Sequence, residues 1–259
     1  EVGAASTVTG PTGDKGDKGA VGPSGVPSIT GNQNNYVLTA TGGTSINGES
    51  NLTFDGTTLT VEGKTTIGSG HLNTGTSSSI AGGTLNTASA SCSFIGGGES
   101  NELRSGNGVL VGGSSNLVCA NGNVTLVGGC CNIASGCCTF LGGGSRNKTE
   151  GQQSVLVGGT LNTGSGNCSF IGSGESNSVL ATRSFIGGGE SNCIGTLSDS
   201  NVITGGKLNY ICGHANGFHS IGGGYGNCID IGNTSCNAAT IAGGSSNTIL
   251  ADCSFIGGG

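Results

Sequence analysis

Three histidines are the first residues in this 259-residue sequence that could carry chemistry. They are His71, His214 and His219, and they fall at no spacing typical of metal ligands. The cysteines occur singly or as adjacent pairs, which also differs from the spacing of a zinc site. The sequence therefore predicts neither a metal centre nor a cofactor site.

Three glutamates form a second candidate set because they occupy one recurring position. They are Glu99, Glu175 and Glu190, and the last two are 15 residues apart. Paired carboxylates catalyse glycoside hydrolysis, and clustered carboxylates bind calcium. Because only 8% of the residues are charged, we favour like charges stacked on an exposed ridge, and we predict that the chain is not an enzyme.

These candidates lie in a short repeat that runs from residue 80 to the end of the sequence. In each of twelve copies an Ile or Leu stands two positions before a Gly-Gly pair, with Ser173 replacing the first glycine once. An Asn follows three residues after the second glycine, and successive asparagines are 15, 15, 16, 15, 15, 15, 15, 17, 18 and 20 residues apart. Such a period indicates a solenoid. The asparagines are Asn86, Asn101, Asn116, Asn132, Asn147, Asn162, Asn177, Asn192, Asn209, Asn227 and Asn247.

The length of the repeat selects the kind of solenoid. Helical repeats need about 33 residues or more, whereas this one holds two short strands and two turns. Ile, Val, Leu and Phe favour strands, and glycine punctuates them. We therefore predict an all-β fold, a parallel β-solenoid of twelve coils with about 15 residues each, forming a rod about 55 Å long.

The residues on either side of the inward Ile or Leu predict contact with other chains. Side chains alternate along a strand, so Phe94 and Gly96 point away from the core that holds Ile95. At these outward positions Phe is followed two residues later by Gly, whereas Val is followed by Val or Thr. A constant summed volume indicates a packed surface; a slightly apolar exposed face is the alternative. The predicted packing residues are Phe94, Val109, Phe140, Val155, Phe170, Phe185, Val202 and Phe255.

The glycine pair and the asparagine predict a corner between the two strands of each coil. Glycine adopts positive φ without strain, and Asn is the next most tolerant residue for the left-handed region. Stacked Asn side chains can also form hydrogen bonds along their column. We therefore expect the asparagines to be structural.

Twelve cysteines are spread through the repeat. Two that share a repeat position, Cys138 and Cys168, would lie about 9.6 Å apart, which exceeds the range of a disulfide. We favour small free thiols buried in tight corners, with disulfides between coils or chains as the alternative. The twelve are Cys92, Cys119, Cys130, Cys131, Cys137, Cys138, Cys168, Cys193, Cys212, Cys228, Cys236 and Cys253.

The N-terminal part of the chain differs from the repeat. Residues 1–9 read as a flexible lead-in, and residues 10–27 carry glycine at every third position from Gly10 to Gly25. Glycine with this period is typical of a collagen-like triple helix, since only glycine fits at the axis of three chains. A flexible glycine-rich linker is the alternative. A triple helix would make the protein a homotrimer.

Residues 28–75 predict a small β connector. Alternating strands are expected at residues 36–40, 52–54 and 58–62, with a tight turn at Asp55-Gly56. The stretch NLTFDGTTLTVEGKTTIGSG resembles the short β connector of phage and viral tail-fibre proteins. That resemblance implies an interlocked β layer between the triple helix and the solenoid.

Residues 76–259 form the predicted solenoid, which we expect to continue beyond residue 259. The block NTASASCSFIGGGESN resembles the head repeat of trimeric autotransporter adhesins of the YadA type. The resemblance implies a left-handed parallel β-roll with three rolls around one axis. This chain departs from that family in its slightly longer period and its GGG-x-x-N corner. With the collagen-like segment, the whole resembles a trimeric virion fibre such as a cyanophage tail fibre or a giant-virus surface fibre.

Three C-terminal coils are longer than the others, with extra residues near 197–201, 212–218 and 230–238. Insertions in solenoids often lie on a binding face, although tolerated loop growth is the alternative. The candidate receptor contacts in these segments are Leu197, Asp199, His214, Phe218, Asp230 and Asn233.

These features favour a non-catalytic structural fibre of a virion that serves host attachment. The expected location is the virion surface or the extracellular space. Expected partners are two further copies of the chain, other fibre proteins of the virion, and a host receptor or glycan. The net charge of −6 argues against nucleic acid, and no apolar run reaches the roughly 20 residues needed for membrane insertion. The alternatives are a bacterial trimeric surface adhesin, a tailspike-like polysaccharide depolymerase and an ice-binding solenoid.

Overall fold

The computed structural model describes residues 28–30, 36–40, 45–196, 199–212, 217–232 and 238–259. Within these residues the chain consists of strands, bridges and turns, and no helix is formed. The chain divides into two compact units, with the boundary between Val61 and Glu62. The predicted lead-in and collagen-like segment, residues 1–27, lie outside the described residues.

The first unit contains a four-stranded sheet. Its central strand, Ser45–Phe54, pairs in parallel with Ser28–Thr30 and antiparallel with Tyr36–Ala40 and Leu59–Val61. The turn before the last strand is held by Asp55, whose Oδ1 accepts hydrogen bonds from the backbone nitrogens of Thr57 and Thr58 at 2.8 and 2.7 Å. The strands and the tight turn predicted for this region are therefore present.

The second unit is a parallel β-solenoid of about twelve coils with about 15 residues per turn. Each coil contributes one two-residue strand to each of two parallel sheets, which have 13 and 12 strands. The strands of the larger sheet, here called first strands, are Thr65–Thr66, Ser79–Ile80, Phe94–Ile95, Val109–Leu110, Thr125–Leu126, Phe140–Leu141, Val155–Leu156, Phe170–Ile171, Phe185–Ile186, Val202–Ile203, Ser220–Ile221, Thr240–Ile241 and Phe255–Ile256.

The smaller sheet is formed by the second strand of each coil. These second strands are Leu72–Asn73, Thr87–Ala88, Glu102–Leu103, Leu117–Val118, Ile133–Ala134, Lys148–Thr149, Thr163–Gly164, Ser178–Val179, Cys193–Ile194, Tyr210–Ile211, Cys228–Ile229 and Thr248–Ile249.

Two corners complete each coil. The asparagine corner leads from a first strand to the second strand of the same coil, as in residues 96–101. The variable corner leads from there to the next first strand, as in residues 104–108. A column of single parallel bridges, from Ser69 to Ser245, adds a third ladder within the asparagine corners.

The core lies between the two sheets. Each sheet contributes one column of apolar side chains to it. The Ile or Leu of every first strand from Ile80 to Ile241 is fully buried, as predicted from the repeat. The second strands add side chains such as Leu103, Val118 and Ile194. Burying one such side chain contributes about 1.5–3 kcal/mol, so stability grows with each added coil.

Candidate functional surfaces of the solenoid

The asparagine corner is built around a continuous column of buried amides. The Nδ2 of Asn162 donates to the carbonyl oxygens of Gly158 at 3.0 Å and Gly174 at 2.9 Å, and to the Oδ1 of Asn147 at 3.2 Å. The Oδ1 of Asn162 in turn accepts from the backbone nitrogen of Asn177 at 2.9 Å. Through its amide and its backbone nitrogen together, each asparagine of the column therefore joins three successive coils.

The column begins one coil earlier than the sequence repeat indicated. The backbone nitrogen of Asn86 donates to the Nδ1 of His71 at 3.0 Å, and the Nε2 of His71 lies 3.0 Å from the carbonyl oxygen of Ile67. The imidazole thus takes the place of an amide. This coil departs from the repeat because Thr66 stands opposite Ile80, the Gly-Gly pair is absent and His71 replaces Asn, so the ladders begin at Thr65 rather than at residue 76.

The second glycine of each pair is required by the amide column. Gly159 has φ +90°, and a Cβ on it would lie 2.1 Å from the carbonyl oxygen of Gly174 and 2.6 Å from the Nδ2 of Asn162. A Cβ on the preceding Gly158 would meet no atom within 4 Å. This difference explains why Ser173 is tolerated at the first position of a pair, whereas the second is always glycine.

The second glycine in each complete copy of the repeat has positive φ, as predicted, but the asparagine does not. The other left-handed residue of the corner is the one before the asparagine, as at Ser100 with φ 53° and Ser115 with φ 55°. The prediction for the asparagine was wrong because the amide acts through hydrogen bonds and not through its tolerance of positive φ. The residues in this position are Leu85, Ser100, Ser115, Cys131, Arg146, Leu161, Ser176, Ser191, Leu208, Gly226 and Ser246.

The variable corner absorbs every change in coil length. From Ile80 onward, the asparagine always lies six positions after the core residue of the first strand, as Asn101 does after Ile95. The variable corner is measured from the core residue of a second strand to that of the next first strand, as from Leu103 to Leu110. This span is seven positions in most coils and up to twelve in the C-terminal ones. The binding-face hypothesis therefore concerns one edge of the rod.

Three of the six candidate receptor residues are described. Asp199 is half-buried and forms an ion pair with Arg183, in which its Oδ2 lies 3.1 Å from the Nη2. Phe218 is 66% exposed, and Asp230 is exposed. Leu197, His214 and Asn233 lie outside the described residues.

The outward face of the larger sheet carries the predicted packing residues. They form an apolar strip that continues through eight coils from Phe94 to Val202 and includes Val111, Val127 and Val157 at 40–48% exposure. In the single chain, this strip is exposed or half-buried. The predicted packing residues all belong to first strands of this sheet; they are Phe94, Val109, Phe140, Val155, Phe170, Phe185, Val202 and, at the last coil, Phe255.

The pairing of phenylalanine with glycine has a cause within one chain. A Cβ on Gly142 would lie 2.2 Å from the carbonyl oxygen of Val157 in the next coil and 3.2 Å from the phenyl Cε1 of Phe140. A Cβ on Gly187 would likewise lie 2.3 Å from the carbonyl oxygen of Thr204 and 3.4 Å from the Cε1 of Phe185. The backbone of the next coil therefore excludes a side chain at these glycines, and the ring lies beside the space that is left. The rings of Phe170 and Phe185 also stack, with centroids 5.0 Å apart. Constant volume alone thus does not require a second chain, contrary to the inference from sequence.

The glutamates lie on an exposed ridge formed by the single bridges. Glu175 and Glu190 are bridge partners on adjacent coils, and Lys207 follows on the next. The Nζ of Lys207 lies 2.8 Å from the Oε1 of Glu190, and both side chains are 47% exposed. Four coils lie between Glu99 and this group. The ridge contains no enclosed carboxylate pair of the kind that acid–base catalysis uses.

The described cysteines do not fill buried corners. Ten are free thiols; six of these are exposed and four are half-buried, so the prediction of buried thiols is wrong for them. Several stand at convex positions with positive φ, such as Cys138 with φ 58° and Cys168 with φ 53°. Cys253 is disulfide-bonded, and Cys236 lies outside the described residues.

Thiols and a phenol share the outward face of the smaller sheet near its C-terminal end. Tyr210 is the strand neighbour of Cys193 and of Cys228. A side-chain hydrogen bond with Cys212 raises the pKa of Tyr210 to about 12, and burial raises the pKa of the Cys193 and Cys228 thiols. These groups are therefore uncharged at neutral pH and are not activated nucleophiles.

The described residues hold no group of three or more His, Cys, Asp or Glu side chains that could bind a metal ion. A cavity of about 360 Å³ is lined by residues of the last coil, including Ile249 and Ile256. Among the described residues there is also no helix long and apolar enough to span a bilayer. Comparison of the chain with protein-family models and with curated proteins found no match.

Proposed function

We propose that this chain forms the rod of a homotrimeric, non-catalytic fibre that serves attachment to a host surface. The observation that carries the proposal is the apolar strip on the outward face of the larger sheet. Parallel sheets are normally covered on both faces, and contiguous exposed apolar patches mark interaction surfaces. Eight successive coils give the strip a length of about 34 Å.

The outward faces of the two sheets differ, and the difference supports packing of the chains through the larger sheet. The outward face of the smaller sheet carries ion pairs, such as Arg104 with Glu102 and Lys148 with Glu150, both at 2.5 Å. Between Phe94 and Val202, the outward first-strand positions of the larger sheet carry only Phe, Val and Thr. The smaller sheet is therefore the solvent face of the proposed assembly.

The number of chains is proposed from the sequence. Glycine at every third position between Gly10 and Gly25 is the pattern of a triple helix. The connector and the repeat resemble those of tail fibres and of YadA-type adhesins, so we propose a left-handed β-roll in a virion fibre. Its partners would be other fibre proteins and a host receptor or glycan, and its location would be the virion surface.

Attachment would use the variable corners of the long C-terminal coils. Their position on one edge leaves them accessible when the apolar strip is covered. Three copies of such an edge would increase the avidity for a repetitive host glycan without any strong single contact. The exposed ring of Phe218 is the described side chain best placed to contact a ligand there.

A matched pair of variants tests both parts of the proposal. Phe185→Asp places a charge in the apolar strip, and Leu180→Asp places one on the smaller sheet at a similar exposure of 36% against 38%. Fluorescently labelled protein is applied to a panel of cell surfaces and glycans. We expect the wild type and Leu180→Asp to bind and Phe185→Asp to lose the avidity.

The competing enzymatic function predicts a different result from the same panel. A depolymerase would release soluble oligosaccharides from a bound glycan, whereas the proposed fibre binds without releasing any. Product release by the wild type would overturn the non-catalytic assignment. Equal binding by all three proteins would overturn the role of the strip.

A further inference from the structure

His219 differs from His71 in how its ring is satisfied. Both nitrogens of His71 have hydrogen-bond partners, whereas neither ring nitrogen of His219 has one. His219 is only 1% exposed. An unpaired buried polar group is costly and rare in folded proteins, so its presence here needs an explanation.

The imidazole of His219 is fixed in the core side of a variable corner. Its backbone nitrogen donates to the Oδ1 of Asn201 at 3.0 Å, and its carbonyl oxygen accepts from Val202 at 2.9 Å. Gly217 lies against the ring, since a Cβ there would be 2.3 Å from Nε2. The ring therefore packs directly against the glycine backbone.

Other coils place a small hydroxyl residue at this position. The Oγ atoms of Ser93 and Ser154 and the Oγ1 of Thr139 donate to the carbonyl oxygen three residues earlier, at 2.8–3.0 Å. Gly108, Val124, Asn201 and Ala239 also depart from this pattern, but none of these residues has a side chain that titrates. At His219 a titratable ring replaces the neutral hydroxyl, in one of the long C-terminal corners.

The charges around this ring come from the coils above and below. The carboxyl group of Asp252 interacts electrostatically with the imidazole, and the Oδ1 of Asp252 is also buried without a hydrogen-bond partner. Asp199, one coil below, pairs with Arg183, two coils below. Burial lowers the pKa of His219 below its ordinary value of 6.5, and the nearby Asp252 opposes that change.

We propose that His219 is a proton-sensitive element that loosens the long C-terminal corners when the surroundings become mildly acidic. The neutral ring fits its site, whereas a buried imidazolium lacks the hydration that it has in an unfolded corner. Because the pKa in the folded state is the lower one, the open corner binds the proton more tightly. Stability is therefore complete above about pH 6.5 and falls as the pH drops toward the folded pKa.

The long corners carry Asp199, Phe218 and Asp230, the described residues that we propose as receptor contacts. Only this link to attachment rests on the proposed function; the opening of the corner does not. If both hold, acidification would weaken binding at the edge of the rod while the N-terminal coils stay intact.

Hydrogen exchange measured by mass spectrometry on the intact chain tests the opening. Samples at about pH 7.5 and about pH 5.0 are compared at exchange times scaled for the intrinsic rate. We expect peptides within 199–259 to lose protection at the lower pH and peptides within 79–192 to keep it. In His219→Ser, which restores the common hydroxyl, the pH-dependent loss should disappear.

Two further measurements keep the test decisive if His219→Ser folds poorly. His219→Asn repeats the side chain found one coil below at Asn201. In the wild type, the imidazole of His219 is titrated by NMR, and a midpoint below 6.5 is expected. A midpoint at or above 6.5, or equal pH dependence in wild type and both variants, would overturn the proposal.

The outcome is separable from that of the fibre proposal. A monomeric protein whose long corners open at low pH would support the role of His219 and contradict the trimer. A trimer whose long corners stay protected at low pH would support the fibre proposal and contradict the role of His219.

Discussion

The two corners of each coil are built on opposite principles. The asparagine corner has a constant length and a column in which each asparagine bonds to the coils before and after it through its backbone nitrogen and its amide. The variable corner has local hydroxyl bonds, as from Ser154 to Gly151, and all the insertions. Stacking is thus fixed on one side of the rod, which leaves the other side free to change.

The largest difference between the corners should come from adding one residue. A glycine inserted between Gly158 and Gly159 shifts the amide column and turns the next second strand over, which exposes its core residue. We expect no cooperative unfolding transition by circular dichroism. A glycine inserted between Asn167 and Cys168, in a variable corner, should cost about 1 kcal/mol or less. Equal effects would contradict the distinction between the corners.

A single methyl group gives the next largest effect. Gly159→Ala places a Cβ against backbone atoms of the next coil and the amide of Asn162, so we expect a loss of more than about 3 kcal/mol. The adjacent Gly158→Ala meets open space and should cost less than about 1 kcal/mol. Chemical denaturation of both variants measures the difference, and a cost for Gly158→Ala that matched the other would be evidence against the packing described.

Removal of one amide should have an intermediate effect. Asn162→Ala leaves the buried carbonyl of Gly158 and the backbone nitrogen of Asn177 without their partners, and we expect a loss of about 2–4 kcal/mol. The control is Asn123→Ala at an exposed site of a variable corner, where a change within about 0.5 kcal/mol is expected. Thermal melts of the two proteins at one pH provide the comparison.

The charged ridge should contribute least. Glu190→Gln removes an ion pair whose side chains are both 47% exposed, and exposed pairs contribute about 0–1 kcal/mol. We therefore expect little change in the unfolding midpoint, with the small difference lost at high salt. A large effect would mean that the asparagine corner depends on its surface charges as well as on its buried amides.

Much of the fold could be predicted from the sequence because the repeat encodes it directly. The invariant Ile or Leu column gave the core, and the period of 15 gave two parallel sheets. His71 was missed because an imidazole can replace an amide without resembling it in sequence. The positive φ before each asparagine was missed because Ser, Leu, Arg and Cys all occupy that position.

The candidate surfaces were harder to predict than the core. The volume pairing of Phe140 with Gly142 is visible in the sequence, but its intrachain cause requires the positions of the ring and of the next coil's backbone. The exposure of the cysteines depends on which corners are convex. The lack of ring partners at His219 depends on burial by neighbouring coils, and no sequence pattern reports it.

The central claim is that three chains cover one another's apolar strips. Native mass spectrometry of the intact protein tests it most directly. We predict a single species at three times the 24.8 kDa mass of the chain, which dissociates in Phe185→Asp and persists in Leu180→Asp. A wild-type protein that remains at the mass of one chain would contradict the account.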